Sequence, residues 1–138
     1  MITTRIRSFL HAALAAVLAA CSGDGPSVTP PEPPVPGQLT VTLATPNSDD
    51  RALQAIVTGP GEITAVESPA TGVAAFSRPT AGGVSVAIFG HLGNGAVLRF
   101  TVPDVNRASA YAASVQEVAD ASNALRPSLA GYQLTVAK

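Results

Sequence analysis

The chain has no tryptophan, one cysteine, one methionine and a single lysine, Lys138. Each scarcity removes a class of function. One cysteine forbids an intrachain disulfide, and two histidines beside it fall short of a zinc ligand set. Sugar-binding faces usually stack rings on exposed Trp or Tyr, and here Tyr111 and Tyr132 both fall on the inward phase of predicted strands. Charged residues are 12% of the chain and sum to −1, so there is no basic footprint for nucleic acid. Aromatics are 4% against 46% hydrophobic residues overall, most of them Ala and Val. Such side chains bury little area each, at about 25 cal/mol per Å², which makes for a thin core. The 138 residues suit one small domain with a tail.

What is present is ordered along the chain. Arg5 and Arg7 precede an apolar stretch, Phe9–Ala20, broken only by His11 and ending in small residues. Those are the three parts of an export signal. The stretch is shorter than the roughly 20 residues of a spanning helix. A buried core helix or an ordinary signal peptide cut after Ala20 fits the same pattern.

The end of this stretch, Leu18-Ala19-Ala20-Cys21, resembles the bacterial lipobox: an aliphatic residue, two small residues, then the cysteine that receives lipid. The resemblance implies that Met1–Ala20 is a cleaved signal peptide. It also implies that Cys21 carries fatty-acyl chains such as palmitate and anchors the protein in a membrane. Ser22 stands where an aspartate would imply inner-membrane retention, so the expected address in a Gram-negative host is the outer membrane. The mature chain would then hold six basic and nine acidic residues.

Residues 21–36 read as a tether. Six of the 15 residues in Ser22–Pro36 are proline, and Val28 and Val35 are the only aliphatic ones. A segment so composed packs no core and favours an extended spacer of about 3.1 Å per residue.

From Gly37 to Lys138 the texture is that of short strands separated by turns. Leu39, Val41 and Leu43 alternate with Thr40 and Thr42, the period of a half-buried strand. Pro46-Asn47-Ser48-Asp49-Asp50 predicts a polar turn and Ala52–Thr58 a second strand. Gly59-Pro60-Gly61 predicts a turn with Gly61 available for positive φ. Ile63–Val66 and Val73–Ser77 are weaker strands. The sharpest hairpin signal joins Val84-Val86-Ile88 to Leu98-Phe100-Val102 through Gly90–Gly95, which ends in Asn-Gly. Ala108–Leu125 fits a helix by composition. The strand neighbours on both sides favour a strand over Ala110–Val118, with a loop or helical turn over 118–125. Tyr132, Leu134 and Val136 close the chain. Seven to nine short strands predict an all-β sandwich. Its expected core is Leu39, Val41, Leu43, Val86, Ile88, Leu98, Phe100, Val115, Leu134 and Val136.

Three stretches are similar to the cohesin-like and carbohydrate-module-like jelly-roll sandwiches of extracellular bacterial proteins. They are Leu39–Leu43, Val84–Gly90 and Gly95–Pro103, the last of the Leu-x-Phe-x-Val type. The resemblance implies a jelly-roll-like β-sandwich and a binding role. It carries over no dockerin-contacting residue.

No reactive constellation accompanies these strands. After cleavage His91 is the remaining histidine, in a predicted loop, and no Gly-x-Ser-x-Gly elbow is present. The carboxylates of the domain show no paired spacing of the glycosidase kind. Asn47, Asp49 and Asp50 are weak candidates for calcium, which takes six to eight oxygens, but Asx-rich turns also form for backbone reasons. The expectation is therefore a non-enzymatic, lipid-anchored binding or structural domain that meets a protein partner and needs no cofactor. The alternative is a glycan-binding module, or an accessory to a carbohydrate-active enzyme.

Overall fold

The computed structural model describes residues 29–138. The expected export signal, Leu18–Cys21 and the first part of the expected tether lie outside the described residues. Residues 29–36 are exposed and form neither helix nor strand. Eight strands follow: β1 Gly37–Ala44, β2 Asp50–Thr58, β3 Thr64–Glu67, β4 Ala74–Thr80, β5 Gly83–Leu92, β6 Gly95–Val102, β7 Ala112–Asp120 and β8 Gln133–Ala137. A 3-10 turn over Val105–Ala110 separates β6 from β7.

The strands form two antiparallel sheets, ordered β3-β6-β1-β8 and β4-β5-β2-β7. Pairs β1–β8, β2–β7, β3–β6 and β4–β5 are those of one long hairpin folded over on itself, joined within the sheets by β1–β6 and β2–β5. The expected all-β sandwich is thus the architecture of the chain.

Alternation decides which side chains enter. Leu39, Val41 and Leu43 of β1 and Leu98, Phe100 and Val102 of β6 point into the sandwich. From the other sheet they meet Leu53, Ala55 and Val57 of β2 and Val84, Val86 and Ile88 of β5. Phe100 is fully buried and lies 6.0 Å from Tyr111, centroid to centroid. Of the expected core, Val115, Leu134 and Val136 are only half-buried, because β7 and β8 are edge strands.

The hairpin expected between the fifth and sixth strands is not formed. β5 pairs with β2 and β4, whereas β6 pairs with β1 and β3. Both strands carry a complete apolar face, and such faces bury more by meeting across a sandwich than by lying side by side. The connection Gly93-Asn94 carries the chain from one sheet to the other, and the Asn94 side chain accepts a bond from Thr45 N at 2.7 Å. Over Ala108–Leu125 the strand reading holds for β7, the loop that follows is not helical, and the helical turn lies earlier, capped by Asp104.

Gly61 does not use positive φ. Space is the reason for the two glycines of this turn. A Cβ on Gly59 would lie 2.1 Å from the Tyr111 ring, and one on Gly61 would lie 2.6 Å from Pro103 Cγ.

Val35, just before β1, is fastened to the sandwich at one pole. Val35 N donates to Asp104 Oδ1 at 3.2 Å, and Val105 N donates to Val35 O at 2.8 Å. β1 therefore starts beside the end of β6, and Thr45 to Asp50 lies at the opposite pole. Lys138 Nζ, at the end of the chain, bonds Asn106 Oδ1 at the tether pole.

Phe100→Ala removes the largest fully buried side chain and is expected to cost about 3–5 kcal/mol, much of the stability of a small domain. Urea unfolding followed by circular dichroism measures the loss.

Candidate functional site

Two features stand out, one polar and one apolar. The polar one gathers the calcium candidates at the pole away from the tether. Asp50 is fully buried, although the sequence pattern places it in a turn. The register of β2 shifts between Asp50 and Ala52 against both neighbouring strands, and this shift turns Asp50 inward with Leu53.

A buried carboxylate needs partners, and Asp50 has three. Thr45 Oγ1 donates to its Oδ2 at 2.7 Å, and the Tyr132 hydroxyl donates to the same oxygen at 2.9 Å. Arg126 Nε donates to Oδ1 at 2.9 Å. The guanidinium also pairs with Asp49, and Asp120 lies 3.9 Å from its other arm. Asn47 Nδ2 donates to the Tyr132 hydroxyl at 2.7 Å. The three candidate residues are thus brought together, and the cation between Asp49 and Asp50 is Arg126. Among the described residues no group of three or more His, Cys, Asp or Glu side chains is placed to hold a metal ion.

These contacts set the ionisation. Burial works against the Asp50 charge, but bonds from Thr45, Arg126 and Tyr132 outweigh it and hold its pKa below the ordinary carboxylate value. Asp120 is also lowered, by the Ser122 hydroxyl first and then by backbone N–H groups of Ala124 and Ser122. Bonds to Asp50 and Asp49 raise Arg126, which stays charged. His91 lies on β5, not in a loop, and its Nδ1 meets the Arg51 guanidinium. Asp104 caps the 3-10 turn through a bond from Asn106 N at 3.0 Å.

The apolar feature is the outer face of the sheet β4-β5-β2-β7. Its rows run Ala74–Phe89–Ala52–Ala119, then Phe76–Ala87–Gln54–Glu117, then Arg78–Ser85–Ile56–Ser114. Phe76 is 65% exposed and Phe89 48%, with ring centroids 6.1 Å apart. Leu125, 62% exposed, is bridged to Ala119 at the far side. Between them a groove of about 180 Å³ is lined by Ala52, Ala87, Phe89, Glu117, Ala119 and Leu125. The other sheet presents Thr40, Thr42, Arg99, Thr101, Gln133 and Thr135 outward, a polar face.

Phase alone could have revealed this face: with Val84, Val86 and Ile88 inward, Phe89 must point out. Arg126 and Tyr132 left no such trace, since they lie 76 and 82 residues from Asp50.

The fold and these two features define a β-sandwich with one polar and one apolar outer face. Comparison with protein families, curated proteins and solved structures matches the chain to none of them.

The lowered Asp50 and Asp120 predict acid sensitivity. A carboxylate whose folded pKa is depressed contributes stability that is complete above its unfolded value and is lost as pH falls through the folded one. The urea midpoint is therefore expected to hold from neutral pH to about 5 and to fall below about 4. Asp50→Asn is expected to cost about 1–3 kcal/mol at neutral pH and to make the acid fall shallower. Urea titrations of both proteins at a series of pH values provide the comparison.

Proposed function

We propose that the chain is an envelope lipoprotein whose β-sandwich is a non-enzymatic binding domain, docking a protein partner on the outer face of the sheet β4-β5-β2-β7. The observation that carries this reading is the contiguous apolar face around Phe76, Phe89 and Leu125. Exposed apolar residues are ordinary when scattered, but a contiguous patch beside a polar rim marks an interaction surface. A small domain with a thin core gains nothing in stability from two exposed phenylalanines.

The anchoring half of the proposal rests on the sequence: Arg5 and Arg7, the apolar run, and Leu18-Ala19-Ala20-Cys21 followed by a proline tether. Two or three acyl chains on Cys21 give stable attachment where one is marginal. The address we propose is the cell envelope, and the outer membrane where the host is Gram-negative. The likeness to cohesin-like modules points the same way, toward binding.

The glycan-binding alternative draws on the same two rings. Phe76 and Phe89 are inclined by 59°, so they present no single flat platform, and phenyl rings lack the polar edge that sugar hydroxyls use. A protein surface, able to follow a tilted pair, fits better.

Cys21→Ser is expected to release the protein from membranes or leave it unprocessed; mass spectrometry finding an unmodified Cys21 in the mature protein would remove the anchor. Phe76→Ser with Phe89→Ser should abolish partner capture from detergent-solubilised envelope while leaving the circular dichroism spectrum unchanged. A glycan array run with the same protein separates the alternatives, since glycan hits without a protein partner favour the sugar-binding module.

A further inference from the structure

We infer that the occupant of the apolar face is a second copy of this chain, seated by a two-fold axis parallel to the strands. The inference rests on reading the face as a docking surface and names what docks there.

The face is self-complementary about such an axis. Its protruding ring, Phe76, sits on β4 at one side, and its groove, between Ala119, Ala52 and Leu125, lies toward β7 at the other. A two-fold axis along the strands, between β5 and β2, sets β4 of one copy over β7 of the other. Phe76 of each copy then meets the groove of its partner, so the contact is made twice in the pair.

Charge follows the same division. Arg78 lies on β4 and Glu117 on β7, one row apart. On aligned sheets crossing at roughly 30°, each Arg78 comes within reach of the opposite Glu117. The rows between them, Ala87, Gln54, Ser85 and Ile56, bring no like charge to the centre. Small alanines let the two sheets close to about 10 Å.

The direction of the chain supports the axis. Both tethers leave from the pole where Val35 is fastened to Asp104 and Val105. A two-fold axis along the strands keeps the two poles on one side, where both anchors reach one membrane. An axis across the strands would point them apart.

Area sets the strength. Four strands about 4.8 Å apart and about seven residues long offer roughly 450 Å² per copy. The total of roughly 900 Å² falls short of the roughly 1,200–2,000 Å² of stable complexes. The pair is therefore weak when free, and forms when two lipid anchors confine both copies to one surface and raise their effective concentration.

The test uses the full lipidated chain in membrane vesicles. Gln54→Cys, close to the axis, should give a covalent dimer with a short bifunctional maleimide. In that background Arg78→Glu and Glu117→Arg should each lower the cross-linked fraction about tenfold, and the two together should restore it. Absence of the dimer, or single reversals without effect, overturns the inference. If the dimer is absent while Phe76→Ser still abolishes capture of another envelope protein, self-pairing fails and the docking face stands. If neither cross-linking nor capture responds to changes on this face, both readings fall.

Discussion

One buried charge fastens the pole of this domain that lies away from the tether. Asp50 begins β2 in one sheet, Thr45 directly follows β1 of the other, and Arg126 and Tyr132 belong to the connection between β7 and β8. A single carboxylate thus joins both sheets and pins the longest loop among the described strands. The carboxylate is tolerated because every buried polar side-chain atom among the described residues has a partner. The same low-dielectric surroundings that strengthen these bonds would penalise any one left unmade, so the cluster holds as a unit. In a core made mostly of leucines and valines, with Phe100 its largest fully buried side chain, the stability of a small domain is a modest total, and such a clamp has a large share of it.

The clamp also accounts for the charge gathered at the polar pole. Asp49, Asp50 and Asp120 converge as in a cation site, but the guanidinium of Arg126 already stands among them. Its planar fork serves two carboxylates at once, and its charge does not titrate in any ordinary range. What remains exposed there, Asp49 and the Arg51–His91 pair, is a solvated rim.

Strand positions were legible in the sequence because they rest on local alternation. Leu39-Thr40-Val41-Thr42-Leu43 announces a half-buried strand, and the fold obeys it. Partnership was not legible. Val84–Ile88 and Leu98–Val102 look like the arms of a hairpin, yet each arm has an apolar face that the opposite sheet completes. Asn-Gly marks a reversal without saying whether it turns within a sheet or between sheets. Asp50 was hidden for a different reason: a register shift of one position exchanges inside for outside, and no residue type advertises it. The candidate site divides likewise. Phe89 could be placed outward by counting from Ile88, whereas Arg126 finds Asp50 only once the chain has closed.

The contrast between the two outer faces is the feature that local rules do not produce. Both sheets obey the same alternation and bury the same kind of residue inward. Threonine, glutamine and arginine, with three small alanines, Ala44, Ala96 and Ala137, take the outward positions of β1, β6 and β8. On β4, β5 and β2 the outward positions hold Ala74, Phe76, Ala87, Phe89, Ala52 and Ile56 beside Gln54, Arg78 and Ser85, so only this face presents large aromatic rings. Pro79 lies on the outermost strand of that sheet, where it denies an N–H to any strand that would add at the edge. A chain that guards its edge while leaving its face apolar is not simply careless of solvent. On the proposed docking face, that combination favours association face on face over open-ended strand addition at the β4 edge.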